Sequence, residues 1–334
     1  MENSYPLDCS FWAKISQFQR ILISGCGGGY DIMQGLPLYF ALRSQHKQVF
    51  LSNLSFSELS KADGEIILKE SNPGESLVCM SITRNTSLNH KSSYFPEKYL
   101  CEWFKESCDE EIEIFAFKRR GPDKIAAAYS ILVEKLGIEA IILVDGGSDS
   151  LMAGDENELG TPLEDMLSMF AVKSLNITSF LVCLGVGADR FHGVSDCASL
   201  RAIAELTKAG GFLGSVGLEQ NMPEVKGFLE ASEFVENKMQ ASIVGFFVKS
   251  AIRGKFANFN VLERTAGQKL FVYPLMGWYF FFDLDKVVKR VKYRRFCEGT
   301  KNATEFIVAL DAFRVEIEQS GVRPVEELPL TGDI

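Results

Sequence analysis

Histidine, paired cysteine and basic charge are what this sequence has least of, and each shortage excludes something. Its 334 residues include only three histidines, His46, His90 and His192, too dispersed to define a zinc site. The eight cysteines contain no Cys-x-x-Cys pair. Cys79 and Cys183 sit in apolar runs, where a reduced thiol packs as a small hydrophobe. A formal net charge of −9 argues against general nucleic-acid binding, which needs a basic surface to meet phosphates. The basic runs Lys118-Arg119-Arg120 and Lys289–Arg295 read as solvated surface. No basic-then-apolar leader opens the chain, and the apolar stretch Leu270–Phe282, interrupted by Pro274 and Gly277, is too short to span a bilayer. These shortages together predict a reduced, cytoplasmic protein with no membrane partner. Neither a Gly-x-Ser-x-Gly elbow nor a Gly-x-x-x-x-Gly-Lys-Ser/Thr loop occurs, which removes the signatures of two large enzyme classes.

What is present is enough apolar residue, 46% of the chain, to bury a large core without metal or disulfide support. The pattern alternates between aliphatic runs and helical segments. Arg20–Ser24, Val49–Leu51, Gly64–Lys69, Ser76–Ile82, Ile112–Phe117, Ile138–Val144 and Ser179–Leu184 read as strands, with a turn at Asn72-Pro73-Gly74. Phe11–Gln19 reads as a short amphipathic lead-in, and helices are predicted over Asp31–Ser44, Tyr94–Phe104, Pro122–Leu136, about Thr161–Ser174 and Cys197–Ala209. Thr161-Pro162-Leu163-Glu164 has the form of a capping box. Glu224–Phe256 reads as largely helical, Leu270–Val272 as a strand, Ala303–Gln319 as a helix and Pro324–Ile334 as a tail. Strand–turn–helix repetition is what a parallel sheet requires. The expectation is a single domain over residues 1–330: a Rossmann-like three-layer α/β core at 20–215, its sheet mainly parallel, with a largely helical C-terminal elaboration at 220–325.

Three of the aliphatic runs end in glycine: Gly25, Gly27, Gly28 and Gly29 after the first, Gly146 and Gly147 after another, Gly185 and Gly187 after a third. In open parallel sheets ligands bind outside the carboxyl ends of the strands, so the three turns are expected to share one pocket. Exposed amides at such turns favour phosphate. The dinucleotide fingerprint is broken at Tyr30, and Asn53 stands where a ribose-binding acid belongs, so nicotinamide and methyl-donor enzymes rank third. Asp31, Asp145, Asp149 and Asp189 lie close to the predicted strand ends. Carboxylates tolerate a neighbouring phosphate only through a hard cation or hydroxyl groups, which points to Mg2+, with Asp145 and Asp149 as its ligands or as proton carriers. His192 is a further acid–base candidate, with Arg190 beside it as an anion contact. Asp155, Glu156 and Glu158 read as solvated loop charges or a lid, and Cys26 as a packing residue. The leading expectation is an enzyme, a hydrolase or transferase, acting on a nucleotide or another phosphorylated, hydroxyl-rich metabolite. A non-catalytic nucleotide sensor is the alternative, and homo-oligomerisation stays open.

Several motifs also resemble a known family. Gly25-Cys26-Gly27-Gly28-Gly29-Tyr30-Asp31 with Gly35-Leu36-Pro37-Leu38, Val144–Leu151, Gly154-Asp155-Glu156 and Gly160-Thr161-Pro162-Leu163-Glu164-Asp165 are similar to domain-of-unknown-function family 1152. The resemblance carries no activity. It implies that Gly154-Asp155-Glu156 and Thr161–Asp165 belong to a characteristic motif and help to shape the site.

Overall fold

Alternation along the strands decides the architecture. In the run Arg20–Gly25, Leu22 feeds one hydrophobic cluster while Ile21 and Ile23 feed another on the opposite face. In Ala140–Asp145, Ile141 and Leu143 face the first cluster, and Ala140, Ile142 and Val144 the second. A strand apolar on both faces must be covered on both faces, which is the three-layer arrangement. The computed structural model describes residues 9–70, 76–89, 94–260, 269–324 and 328. His90, the Asn72-Pro73-Gly74 turn and most of the expected Pro324–Ile334 tail lie outside the described residues.

The strands in chain order are β1 (Arg20–Gly25), β2 (Gln48–Leu54), β3 (Glu65–Lys69), β4 (Leu77–Ile82), β5 (Ile114–Phe117), β6 (Ala140–Asp145), β7 (Thr178–Leu184), β8 (Phe212–Gly217), β9 (Ala257–Asn260), β10 (Lys269–Val272) and β11 (Trp278–Asp283). Nine of them form one sheet in the order β3-β4-β5-β2-β1-β6-β7-β11-β8. Its centre, β5-β2-β1-β6-β7, is parallel, and both flanks are antiparallel. The remaining pair, β9 and β10, makes a separate antiparallel ribbon. The fold is therefore Rossmann-like, with a mainly parallel centre and a largely helical C-terminal part.

From β1 the chain builds outward through β2 and β5, then returns to place β6 on the other side of β1. Strand order thus reverses between β1 and β6, and a crevice opens at their carboxyl ends. The loops that begin at Gly25 and Asp145 flank it.

Two strands of the main sheet are not among those read from the sequence: β11 enters it between β7 and β8, and β8 itself follows the Gly210-Gly211 helix stop. Both strands pair antiparallel with partners distant in sequence. The expected capping box at Thr161 does not form. Thr161 precedes the helix Pro162–Lys173 without capping it, because its amide and hydroxyl both donate to Asp149 Oδ2, at 2.7 and 2.9 Å. Glu164 turns outward to Arg119 at 2.9 Å.

Candidate functional site

A cleft of about 680 Å³ lies at this reversal point. The loop after β1 contributes Gly27, Gly28, Gly29 and Asp31; the loop after β6 contributes Asp145, Gly146 and Asp149; the loop after β7 contributes Asp189, Phe191 and His192. Other predicted residues stand back from it. Gly25 packs beneath Asn53, and a Cβ there would run into the Asn53 side chain. Asn53 is buried and braces the turn from below, donating to the Gly29 carbonyl at 2.9 Å and to Glu97 at 2.8 Å. Gly147, Gly185 and Gly187 support the loops and do not line the cleft. Arg190 pairs with Asp196.

The glycines make room for carboxylates. A Cβ on Gly27 would stand 2.7 Å from Asp165 Oδ1 and 3.0 Å from Asp31 Oδ2. One on Gly146 would stand 2.7 Å from Asp31 Oδ1, and one on Gly147 2.5 Å from Asp189. Such separations are too short for any side chain, so only glycine lets the acids approach the backbone this closely. The turn amides are consequently engaged by the protein itself. Gly27 N–H donates to Asp31 Oδ2 at 2.6 Å, Gly146 N–H to Asp31 Oδ1 at 3.2 Å, and Ser148 N–H to Asp189 Oδ2 at 2.5 Å. These amides hold acids, where exposed glycine-turn amides by themselves would favour phosphate.

Ligand oxygens of Asp31, Asp145 and Asp165 lie within 4.8 Å of one another. The partners that converge with Asp145 are thus Asp31 and Asp165. Asp149, paired with Asp145 in the sequence reading, is instead turned by Thr161. Asp145 accepts from the Ser150 hydroxyl. Asp165 is 2% exposed, and its Oδ1 has no hydrogen-bond partner. Gln34, 1% exposed and also lining the cleft, has an unpartnered Oε1. Among the described residues the cleft offers one arginine, Arg119, and no lysine.

Such crowding is costly. Two unit charges about 4 Å apart repel by about 4 kcal/mol at an effective dielectric of about 20. Burial, reinforced by Asp149 and opposed by the Gly27 amide, raises Asp31 to about 7. Burial and then the neighbouring acids push Asp145, Asp165 and Asp189 well above the usual carboxylate range. A hard cation would remove the repulsion and supply the partner that Asp165 Oδ1 lacks. An all-oxygen donor set suits Mg2+ or Mn2+. Cys26 is buried, and its thiol is pushed up by burial and by Asp165, which keeps it protonated and unreactive.

The sequence reading did not select Asp165, Gln34, Phe56, Tyr94 or Arg119, all of which line the cleft. Asp165 lay within the Gly160–Asp165 motif, hidden as one more acid in a helix first turn. It also treated Asp155 and Glu156 as solvated. Both are buried, Asp155 against Lys292 and Arg323, while Arg314 holds the carbonyls of Gly154 and Glu156. Glu158 is exposed.

Comparison with known families matches residues 78–318 to DUF1152, described as a protein of unknown function. The chain belongs to that family. No curated protein and no solved structure matches it. Among the described residues, no helix is long and apolar enough to cross a membrane.

Proposed function

We propose that this DUF1152 chain is an enzyme, a hydrolase or transferase, that acts on a phosphorylated, hydroxyl-rich small metabolite with the help of a divalent cation. One observation carries the reading: the unpartnered, buried Asp165 Oδ1 stands in a trio with Asp31 and Asp145 at the strand-order reversal. Mg2+ characteristically uses one or two carboxylates together with substrate phosphates, so a cation here joins an acidic protein site to an acidic ligand. The cation supplies positive charge and orientation. Asp149 and Asp189 remain in the cleft for hydroxyl groups, and Gln34 Oε1 accepts one more hydrogen bond. His192, exposed on the rim, is placed to exchange a proton with the substrate or with water.

The test is incubation of chelator-stripped and Mg2+-loaded protein with a library of phosphorylated metabolites, followed by mass spectrometry. Consumption of a phosphorylated compound only when Mg2+ is present is the expected result. A ligand bound and recovered unchanged would make the protein a sensor.

A further inference from the structure

One wall of the cleft does not belong to the acid cluster. Phe56, in the loop that follows β2, lines the cleft and is 45% exposed. Isolated exposed aromatics are common and need no explanation, but this ring is held in place. Gly28 and Gly29 both adopt left-handed backbone, φ +92° and +61°. A Cβ at either would come within 2.9 and 3.1 Å of the Phe56 ring. The ring therefore lies directly against the backbone of the glycine turn. Arg119 stands 5.5 Å from the ring centroid and is steadied by Glu164 at 2.9 Å.

The two halves of the cleft are also measured against each other by the turn. Gly27 touches the carboxylates of Asp165 and Asp31, and the next residue, Gly28, touches Phe56. Successive Cα atoms are about 3.8 Å apart, so the ring and the acid trio fall within the span of one small ligand. A fixed, half-exposed aromatic ring that already holds a planar guanidinium over it is a surface for a flat π-system.

Resting on the cation-assisted reading above, we propose that Phe56 is the stacking platform for the base of a nucleotide whose phosphate meets the cation, so that the substrate class is nucleotides and not simple sugar phosphates. Arg119, which lies over this ring, yields its face to the base and turns to the phosphate. The glycines at 28 and 29 keep the platform flush with the turn.

The experiment compares binding of adenosine, guanosine, cytidine and uridine 5′-monophosphates with that of ribose 5-phosphate, by calorimetry with Mg2+ present. At least one nucleotide is expected to bind about tenfold or more tighter than ribose 5-phosphate. Phe56→Ala is expected to erase that advantage while leaving ribose 5-phosphate binding unchanged, and Phe56→Trp to retain it. Equal binding of ribose 5-phosphate and every nucleotide, or a Phe56→Ala protein that keeps the preference, overturns the stacking role and leaves the cation reading standing. Failure of every phosphate ester to bind, with or without Mg2+, overturns both.

Discussion

Two acidic clusters, one reached at the start of the segment that follows β6 and one within it, have opposite electrostatics. In the first, Asp31, Asp145 and Asp165 crowd together with no lysine or arginine of the described residues among them. In the second, Asp155 meets Lys292 and Arg323, and Glu205 meets Arg290 and Arg323. Burial alone would raise Asp155, but Lys292 and Arg323 outweigh it and hold its carboxyl below the ordinary value. Burial without such partners pushes Asp165 the other way. The same residue type is thus structural where cations of the chain answer it. Where none do, burial and crowding hold it above the ordinary carboxylate range, and the proposed cation site rests on that contrast.

The comparison breaks or sharpens most strongly in turnover. Asp145→Asn is expected to lower cation-dependent consumption of substrate by at least about 100-fold. Asp155→Asn should change it little, since Asp155 does not line the cleft. Retained turnover in Asp145→Asn, measured with circular dichroism to confirm the fold, removes Asp145 from the mechanism.

Next in size is the response to cation. Mg2+ or Mn2+ at about 100 times its dissociation constant should stabilise the wild type by about 2.7 kcal/mol. A Cβ at Gly27, 2.7 Å from Asp165 Oδ1, should abolish that stabilisation in Gly27→Ala. Thermal melts with cation and with chelator check both, and an unchanged response in Gly27→Ala contradicts the placement.

Smaller, and opposite in sign, are the effects on the cation-free fold. Asp165→Asn removes a crowded acid and should raise stability by about 1 kcal/mol. Asp155→Asn strips Lys292 and Arg323 of their counter-charge and should lower it by about 2 kcal/mol. Denaturant midpoints that shift in the same direction for both substitutions erase the distinction.

The pH dependence should divide the same way. Asp31 titrates near 7 in the folded chain against an ordinary value of 3.8, so between those limits the folded state binds more protons than the unfolded one. Its contribution therefore makes the cation-free protein less stable as pH rises from about 4 through 7. Asp155 is lowered, so its contribution is present above its ordinary value of 3.8 and is lost as pH falls through the depressed folded value. Urea melts of wild type and Asp31→Asn across pH 4–8 should converge at the acidic end and separate at the basic end. No separation contradicts the raised value.

Local signals made most of the fold and the position of the site legible. The aliphatic runs of β1, β6 and β7 end in glycine because the backbone is closely approached there, by carboxylates at Gly27, Gly146 and Gly147 and by Val244, Val248 and Tyr273 at Gly185 and Gly187, so the sequence marks the loops well. Their meaning was harder to read. Glycine at a strand end suggests amides open to phosphate, whereas the amides of Gly27 and Gly146 are engaged by Asp31 from their own and a neighbouring loop. The bond from Gly146 depends on where β1 and β6 lie in the sheet, which spacing along the chain does not encode. Asp165 was missed for a similar reason: at the start of a helix an acid is ordinary, and only the fold brings it to Asp31 and Asp145. The strand β11 was hidden because Trp278–Asp283 continues an apolar stretch broken by Pro274 and Gly277, and its partners β7 and β8 are remote in sequence. The Lys289–Arg295 run, read as solvated, includes Arg290 and Lys292, whose acidic partners become neighbours only on folding.

Calorimetric titration of Mn2+ into chelator-stripped protein at pH 8, with wild type and Asp165→Asn side by side, tests the unanswered acid trio most directly. The wild type should take up one ion per chain, and Asp165→Asn should lose that uptake. No uptake by the wild type, or equal uptake by both proteins, contradicts the cation site.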